Sequence, residues 1–478
     1  MTDSIILEHV TDIAADCFFN ELLQTEDFAT FEQIVTTDMR TIGAMILSKC
    51  IERFDASLRE NRPAGWTVHE YASRTFITLL GEVSFKRTIY LDNYGRRRAW
   101  ADELLGIVPR MRLSACAFLW IARRAAEISY RKTAAEFFEL SSATISHVSV
   151  MNVVHSEGAM LKRTGSEFAR DGALRISQDV LFVESDGLWV HLQESTHRKE
   201  ALPRFLYEQA RKVKSFELKI AAIYAGKTKV APGRYRRGGL CLTCCDDDAD
   251  GFWQRTWRML VENYEEGDLE RVAVGGDGAE WCGPERIEAK LGASCRIDFT
   301  LDLFHIMKKV TKAFPDESSA QRQWAENLVV RGKGVQLAGM CSRIAAKMKP
   351  GSARDKVNDL ASYAKNHSSG IRPPKRELGT IEGTNSHLGA ARLKGQGRSW
   401  SRAGAEAMCL IRCAIMTGRS LIAPSACSWF TQHELAQQQA SIAKRALRIP
   451  DTSGRGWEPP YHRKPLPKNV TIPLRYRS

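Results

Sequence analysis

Three acidic residues, far apart in the chain, have the types and neighbours that suit metal chemistry. Asp186 and Asp277 each precede a glycine after an apolar run, and Glu382 stands in Thr-Ile-Glu-Gly-Thr-Asn. Mg²⁺ is a hard cation that prefers carboxylate oxygens and keeps several of its waters. Two such ions can hold the attacking and leaving oxygens of a phosphodiester. The three carboxylates therefore predict a metal site for phosphoryl transfer.

Short apolar segments in the middle of the chain are spaced like the strands of an α/β fold. They lie at residues 180–185, 188–192, 218–224, 269–275 and 295–301. A glycine after a strand lets the backbone turn while the preceding carboxylate projects from the strand end. Asp186 and Asp277 are therefore predicted at strand ends, although a single Asp-Gly pair is also typical of an ordinary turn. Residues 188–192 are predicted to continue the first strand beyond Asp186 and Gly187.

From these strands onward, the chain divides by composition into four parts. Residues 173–305 are predicted to form the first part of an α/β core. Residues 306–375 are predicted to be an all-helical insertion, because they carry charge and helical periodicity without strand patterns. Residues 376–425 are predicted to complete the core with a helix that carries Glu382. The residues at 426–478, rich in Lys, Arg, Pro and Gly, predict a basic arm with little fold.

Three other regions come before the core, and the first two are helical and extended. Residues 1–62 carry apolar residues at helical spacing, which predicts an amphipathic packing or dimerising helix. Residues 63–112 change to extended patterns that close on Asp-Asn-Tyr-Gly, which predicts a β-hairpin with a basic cluster. Lys86 and Arg87 edge this hairpin and are candidates for contact with DNA.

Residues 113–172 are predicted to be helical and contain a helix-turn-helix pattern. A first short helix would carry Arg131, and a second would expose Thr144, Ser146 and His147. Small polar residues at the start of a second helix suit contacts with base edges or phosphates. No glycine marks the turn between the helices. A DNA-binding element and an ordinary pair of packing helices both fit this pattern.

The charge balance favours a polyanionic partner. The formal net charge is +13 and the sequence pI is near 9.2. Such charge alone fits DNA, RNA or anionic lipid. No segment approaches the roughly 18 uninterrupted apolar residues of a membrane span, and the first residues lack the pattern of a secretory signal. These features predict a cytoplasmic protein without a membrane partner.

Twelve cysteines lack the spacing of a disulfide framework, so we predict reduced thiols. Cys241, Cys244 and Cys245 form one close group. A tetrahedral zinc site needs a second pair at suitable spacing, and the sequence has none. Small buried residues at a strand end are the favoured interpretation, with a structural metal as the alternative.

Several short segments, taken together, resemble a known family. They are Ser-Tyr-Arg-Lys-Thr-Ala at 129–134, Asp-Gly at 186–187 with 190–193, Gly-Asp-Gly-Ala at 276–279 with Trp281, Leu-Asp-Leu-Phe-His at 301–305, Gly-Thr-Ile-Glu-Gly-Thr-Asn-Ser-His at 379–387, Ala-Arg at 391–392 and Ser-Trp-Ser at 399–401. The chain resembles a DDE transposase. More narrowly, it resembles the ISL-type (Lre group) bacterial insertion-sequence transposases, which are distantly similar to the Mutator group.

The resemblance implies a fold and a site. The fold would be α/β: an RNase H-like catalytic core, which is a mixed sheet with flanking helices, with an all-helical insertion, plus an N-terminal helical and β-hairpin DNA-binding region. Asp186, Asp277 and Glu382 would be the catalytic residues that hold Mg²⁺ or Mn²⁺. Asp302 and His305 match an Asp-x-x-His element beside the site, where a supporting role is expected rather than direct metal ligation.

The resemblance also implies a reaction and partners. A transposase of this kind would cut DNA at the transposon ends and join the freed 3′-hydroxyl to target DNA. It would act on DNA as a homodimer or higher oligomer, associated with a bacterial nucleoid. Cations near Glu382 would hold strand phosphates, with solvated surface charge as the alternative. These cations are Arg392, Lys394, Arg398 and Arg402.

Two other functions stay open. A DNA-binding regulator could keep this fold without recombinase activity, although three intact carboxylates argue against that. A metal-dependent nuclease acting on DNA or RNA would use the same carboxylates. Strand transfer separates the three functions, since a transposase joins cut DNA to a target, a nuclease stops at hydrolysis, and a regulator binds without cutting.

Overall fold

A computed structural model of the chain describes residues 2–165, 175–193, 214–232, 234–265, 267, 269–283, 288, 295–373, 378–395 and 397–424. They form two compact units: the first runs to Val153 and takes in the segment from Ile422, and the second is Val154–Leu421. No helix in this described part has the length and apolar character to cross a bilayer. The basic arm predicted at 426–478 lies outside the described residues, and the domain boundaries stay predictions.

The first unit opens with two long helices and then a β-hairpin. Asp27 caps the second helix by accepting a hydrogen bond from Thr30 N at 2.8 Å. The hairpin strands pair antiparallel across a two-residue connection. The elements are α1 (Thr2–Gln24), α2 (Phe28–Glu60), β1 (Thr67–Thr78), β2 (Gly81–Leu91), β3 (Arg97–Arg98) and α3 (Trp100–Leu104).

The β1–β2 hairpin packs against α2. Phe76, Val83 and Phe85 form its small apolar core. The buried Asp55 of α2 accepts hydrogen bonds from Thr88 N at 3.0 Å and from Thr88 Oγ1 at 2.7 Å. A buried carboxylate needs such donors to replace its hydration. This contact therefore fixes the position of α2 on the hairpin.

The predicted helix-turn-helix segment forms helices, but its last helix begins later than expected. The helices are α4 (Ala115–Ala125), α5 (Tyr130–Ser141) and α6 (His147–Thr164). Ser142 ends α5 with a left-handed φ of 56°, a role that glycine often takes. Thr144 and Ser146 precede α6 instead of lying on it. Ser146 Oγ accepts from Ser149 N at 3.0 Å, so Ser146 is the cap of α6.

The second unit is built on a five-stranded mixed sheet and a separate two-stranded ribbon. The strands are β4 (Val180–His191), β5 (Ser215–Tyr224), β6 (Gly226–Ala231), β7 (Arg234–Gly238), β8 (Cys241–Cys245), β9 (Arg271–Gly276) and β10 (Arg296–Leu301). The sheet order is β10-β9-β4-β5-β8, and β6 pairs with β7. β5 runs antiparallel to both of its neighbours, β4 and β8, whereas β9 and β10 run parallel to β4.

The prediction that Asp186 ends a strand is wrong, whereas the prediction that the residues after Gly187 continue this strand is confirmed. β4 runs past Asp186 and Gly187 and pairs with β5 in unbroken register. Gly187 serves close packing instead of a turn. A Cβ on Gly187 would lie 1.9 Å from Glu217 Oε1. Asp277, in contrast, follows the last residue of β9 directly, as expected.

Sequence patterns missed β6, β7 and β8. The first two strands are rich in Lys and Arg, which hides the alternation that marks a half-buried strand. The third strand carries Cys241, Cys244 and Cys245, and all three are buried. This agrees with the interpretation of these cysteines as small buried residues.

Helices pack on the sheet, and others follow β10 in the chain. They are α7 (Ala249–Asn263), α8 (Leu303–Ala313), α9 (Ala320–Val330), α10 (Gly334–Lys347), α11 (Ser352–Asn366), α12 (Ile381–Asn385), α13 (Ala391–Leu393) and α14 (Arg402–Met416). The core between α7 and the sheet includes Trp253 and Val272, and α8 to α11 share a separate core around Val310 and Leu337. A π-helical turn, Ser386–Ala390, joins α12 to α13.

Candidate metal centre

Asp186 is the buried acid at the centre of the sheet. β9 ends opposite Ser185, so Asp186 is the first residue of β4 beyond the end of β9. It is 4% exposed. Asp186 Oδ1 accepts a hydrogen bond from Gly187 N at 2.8 Å, and Oδ2 accepts one from Asn385 Nδ2. Asn385 lies in the Gly-Thr-Asn motif but was not predicted to contact the site.

Three side chains from three elements converge at this point. Asp186 of β4, His305 of α8 and Glu382 of α12 each offer a ligand atom, and these atoms lie within 4.8 Å of one another. Within the described part of the chain, no other group of His, Cys, Asp or Glu has this spacing. Asp186 is buried, His305 half-buried and Glu382 exposed. The group is therefore anchored in the core and accessible from solvent.

Glu184 positions the helix that carries Glu382. Its buried carboxylate accepts hydrogen bonds from the backbone N of Gly379 and of Thr380, both at 2.8 Å. Unpaired N–H groups at a helix start favour a negative charge in this place. Strand alternation puts Glu184 and Asp186 on the same face of β4. One strand thus provides a candidate ligand and the support for a second.

His305 is oriented by Asp302. Asp302 Oδ1 accepts from Phe304 N at 3.1 Å, and Oδ2 lies 3.2 Å from His305 Nδ1. Asp302 N in turn donates to Gly276 O at 2.8 Å, which ties the start of α8 to the end of β9. The hydrogen bond to Asp302 raises the pKa of His305, and the charge of Asp186 adds to this rise. Nε2 is left as the ring atom that can bind a metal.

Asp277 lies beside the three-residue group but is not a member of it. Its Oδ1 accepts hydrogen bonds from Ala279 N at 2.8 Å and from Cys282 Sγ at 3.0 Å. The charge of Asp277 still acts on the group, because it contributes to the raised pKa of Asp186 and of His305. Oδ1 of Asp277 therefore already accepts hydrogen bonds, and Oδ2 remains able to bind a cation.

The electrostatics of the group favour a bound cation. Burial raises the pKa of the Asp186 carboxyl to about 6, while the charge of His305 opposes the shift and those of Asp277 and Glu382 add to it. A divalent cation would offset this excess of negative charge. Carboxylates suit Mg²⁺ and Mn²⁺, and an imidazole moves the preference away from Mg²⁺. The residues present therefore fit a divalent cation.

Glu217 of β5 is a further acid that the sequence analysis missed. Its carboxylate packs against Gly187, and burial followed by the charge of Asp277 raises its pKa. Lys219 opposes that shift. The available signal was the Phe-Glu-Leu-Lys-Ile pattern, in which charged residues alternate within an otherwise apolar strand.

The predicted DNA-binding residues divide into exposed and engaged side chains. The exposed ones are Lys86, Arg131, Thr144, Ser146, His147 and Lys394. Arg87 instead pairs with Asp102 at 3.0 Å and is largely buried. Contact of these residues with DNA stays a prediction.

Three cations after Glu382 have partners within the fold. Arg392 is buried over the Trp400 ring, with its guanidinium carbon 5.0 Å from the ring centre. Arg398 donates to the backbone oxygens of two residues in α13, both at 3.1 Å. Arg402 pairs with Asp246 at 2.7 Å. These contacts order the segment that follows the site.

The region that contains the site matches a protein family. Residues 23–426 match the family described as "Uncharacterised protein family (UPF0236)". The chain belongs to the UPF0236 family. Asp186, His305 and Glu382 all lie within the matched region, as do all elements from α2 to α14.

UPF0236 relatives share about a quarter of their residues with this chain. The UPF0236 protein in the vanSb 3′ region of Streptococcus gallolyticus is 24% identical over 381 residues, which cover 78% of this chain and 79% of the relative. A second relative is a UPF0236 protein of Caldanaerobacter subterraneus subsp. tengcongensis, and its name gives eleven loci. It is 25% identical over 435 residues, which cover 88% of this chain and 85% of the relative.

One similar solved structure is the Drosophila P element transposase strand transfer complex. It aligns with 75% of this chain and 90% of its own, at 9% identity and a TM-score of 0.24. A match with so low a TM-score carries no argument about fold or function.

Proposed function

We propose that this UPF0236 protein is a DNA transposase, which cuts DNA at transposon ends and joins them to target DNA by DDE-type, metal-dependent phosphoryl transfer. The observation that carries the proposal is the convergence of Asp186, His305 and Glu382 on one solvent-accessible group, with Asp277 beside it. Phosphodiester cleavage and joining both need cations at the reacting oxygens. Acidic donors from separate elements are what such chemistry requires.

The sheet supports an RNase H-like core. An antiparallel run of β8, β5 and β4 is extended by the parallel strands β9 and β10. Helices pack on this sheet, and α8 to α11 lie between β10 and the helix with the glutamate. The resemblance to DDE transposases implies this arrangement. The proposed core comprises residues 173–305 and 376–425, with 306–375 as the insertion.

Each residue of the site has a proposed role. Asp186 and Glu382 hold one divalent cation, with His305 as a third ligand that Asp302 orients. Asp277 contributes its second oxygen to a further cation. When bound, the cations supply positive charge at the attacking and leaving oxygens of the phosphodiester. As a proposed metal ligand, His305 has a more direct role than the supporting one that the resemblance implies.

DNA is the proposed partner, and charge supports it. A formal net charge of +13 favours a phosphate backbone. One relative's name gives eleven loci of a single genome, and another gives four. Repeated loci of one protein are what a copied mobile element leaves. Because two transposon ends must be brought together, the active form is proposed to be a homodimer or higher oligomer.

The test is strand transfer by variants of the group. Asp186→Asn and Glu382→Gln each remove a ligand charge without removing bulk, and we expect both to abolish Mn²⁺- or Mg²⁺-dependent cutting and joining. The substrate is a plasmid that carries the reading frame with its flanking DNA. Asp359→Asn, an exposed acid of α11, is the matched control and should act like the wild type.

The products separate the competing functions. Joined products that disappear in Asp186→Asn support a transposase. Cutting without joining indicates a nuclease, and binding without cutting indicates a regulator. Full activity of Asp186→Asn or Glu382→Gln would remove that residue from the site and would overturn the proposal.

A further inference from the structure

The β6–β7 hairpin is the most basic short segment that the function proposed above does not use. Residues 225–240 contain five Lys or Arg residues and no Asp or Glu. β6 and β7 pair only with each other and stand apart from the main sheet. Five or six residues per strand give a ribbon about 20 Å long.

The base of this hairpin is fastened to the segment that carries Glu382. Lys227 Nζ donates to Leu378 O at 3.0 Å. Arg237 Nη1 donates to Thr384 Oγ1 at 2.8 Å, and Lys227 and Arg237 are direct partners in the hairpin register. The hairpin is therefore positioned together with the start of α12, next to the candidate metal centre.

The outer part of the hairpin carries cations that point to solvent. Lys229, Arg234 and Arg236 are exposed, and within the described part of the chain none of them forms an ion pair. Tyr235 is 59% exposed and lies opposite Lys229. Lys227 and Arg237 thus hold the hairpin in place within the fold. Lys229, Arg234 and Arg236 can bind a partner.

Duplex DNA fits this shape and charge. The major groove of B-DNA is about 12 Å wide and admits a two-stranded ribbon, whereas the major groove of A-form RNA is too deep and narrow for side chains to read. Cations on both faces of a ribbon can reach the phosphates on both sides of the groove. An exposed tyrosine adds a hydroxyl donor for the same phosphates.

We propose that the β6–β7 hairpin enters the major groove of duplex DNA and grips the backbone with Lys229, Arg234 and Arg236, next to the phosphodiester that the metal centre would cut. This inference rests on the proposed function for the identity of the cut strand. The hydrogen bonds of Lys227 and Arg237 to the segment that carries Glu382 link DNA binding by the hairpin to the position of Glu382.

The experiment measures binding of a mixed-sequence DNA duplex by fluorescence anisotropy, with EDTA present, at several salt concentrations. The test variant combines Lys229→Ala, Arg234→Ala and Arg236→Ala. Each phosphate contact contributes about 0.9 to the slope of log affinity against log salt, so the slope should become shallower by about 2.7. Affinity at low salt should fall at least tenfold, on the order expected for three lost contacts.

The matched control combines Arg343→Ala, Lys347→Ala and Lys349→Ala, exposed residues in and just after α10 that remove the same charge. It should keep the wild-type slope. A third variant, with Lys229→Arg, Arg234→Lys and Arg236→Lys, keeps the charge and should restore binding. Equal losses in the test and control variants would overturn the inference. Tighter hairpin-dependent binding of an RNA duplex of the same length would also overturn it.

The outcome can be told apart from failure of the proposed function. If the hairpin variant binds DNA like the wild type while Asp186→Asn still abolishes joining, the inference fails and the transposase stands. If the hairpin variant loses DNA binding but cutting does not depend on Asp186, the grip stands and the proposed active site fails. Circular dichroism of the three variants checks that each is folded.

Discussion

The β1–β2 and β6–β7 hairpins both carry Lys and Arg residues, but these cations have different partners. In the β1–β2 hairpin, Arg74 and Arg87 lie 2.7 and 3.0 Å from the buried carboxylate of Asp102. In the β6–β7 hairpin, the exposed Lys229 and Arg236 have no ion pair among the residues that the structure describes. The first hairpin uses its charge within the fold, and the second presents its charge to solvent.

A basic segment therefore indicates a nucleic-acid contact only when its cations are not already paired with acids within the fold. Arg87 was a candidate for DNA contact because it edges a hairpin. Its partner Asp102 lies on α3, and strand patterns give no sign of that contact. The partners of a buried acid matter in the same way. Among the residues that the structure describes, no Lys or Arg pairs with the buried Asp186 carboxylate, and burial raises its pKa to about 6.

The largest expected effect comes from removing the acid in the first hairpin's ion pairs. Asp102→Asn leaves the guanidinium groups of Arg74 and Arg87 largely buried without a carboxylate. Breaking a buried pair in this way costs about 3–5 kcal/mol. We expect a loss of that size in the free energy of unfolding, measured by urea denaturation.

Asp38→Asn is the control for this prediction. Asp38 is an exposed acid on α2, and its substitution should change stability by less than about 0.5 kcal/mol. A loss below about 1 kcal/mol for Asp102→Asn would mean that Arg87 is not held by the fold. The contrast between the two hairpins would then disappear.

A smaller effect of opposite sign is expected at the metal centre. The raised pKa of Asp186 means that the folded, metal-free protein binds a proton more tightly than the unfolded chain does. The free-energy cost of folding with a charged Asp186 is therefore fully present above pH 6, and it is lost as the pH falls toward 4. Asp186→Asn removes that cost and should stabilise the metal-free protein at pH 7.5 by up to about 3 kcal/mol.

Thermal unfolding in EDTA at pH 7.5 and pH 4.5 measures this effect. The gain from Asp186→Asn should shrink at the lower pH. In a separate measurement without EDTA, added Mn²⁺ should stabilise the wild type but not the variant. A variant that is less stable than the wild type at pH 7.5 would show that Asp186 is a structural carboxylate. Asp186 would then resemble Asp102 and not a ligand that waits for its cation.

Much of this architecture can be predicted from the sequence, because strands and helices leave local periodic patterns. Apolar runs located β4, β5, β9 and β10, and helical periodicity located α8 to α11. The contacts that build the site are not local. Asn385 binds Asp186 across 199 residues, and Thr380 binds Glu184 across 196. Only the folded chain reveals such pairs.

The missed features have physical reasons of their own. The packing role of Gly187 was hidden because the sequence does not show that the Glu217 carboxylate fills the space beside this glycine. The β6–β7 hairpin was hidden because both of its faces are polar, so it lacks the alternation of a half-buried strand. A strand that is polar on both faces has no apolar stripe to detect.

The smallest predicted effect compares one lysine from each hairpin. Lys86 and Lys229 are both exposed, but the Lys86 backbone N donates to Glu52 Oε1 at 2.8 Å, so an acidic charge lies close by. A phosphate is attracted less by a lysine beside a carboxylate than by one in a segment without acids. Lys229→Ala should therefore lower the salt slope of duplex DNA binding by about 0.9, and Lys86→Ala by less than half of that. Equal changes in slope would mean that a neighbouring acidic residue does not decide which of the two hairpins binds DNA.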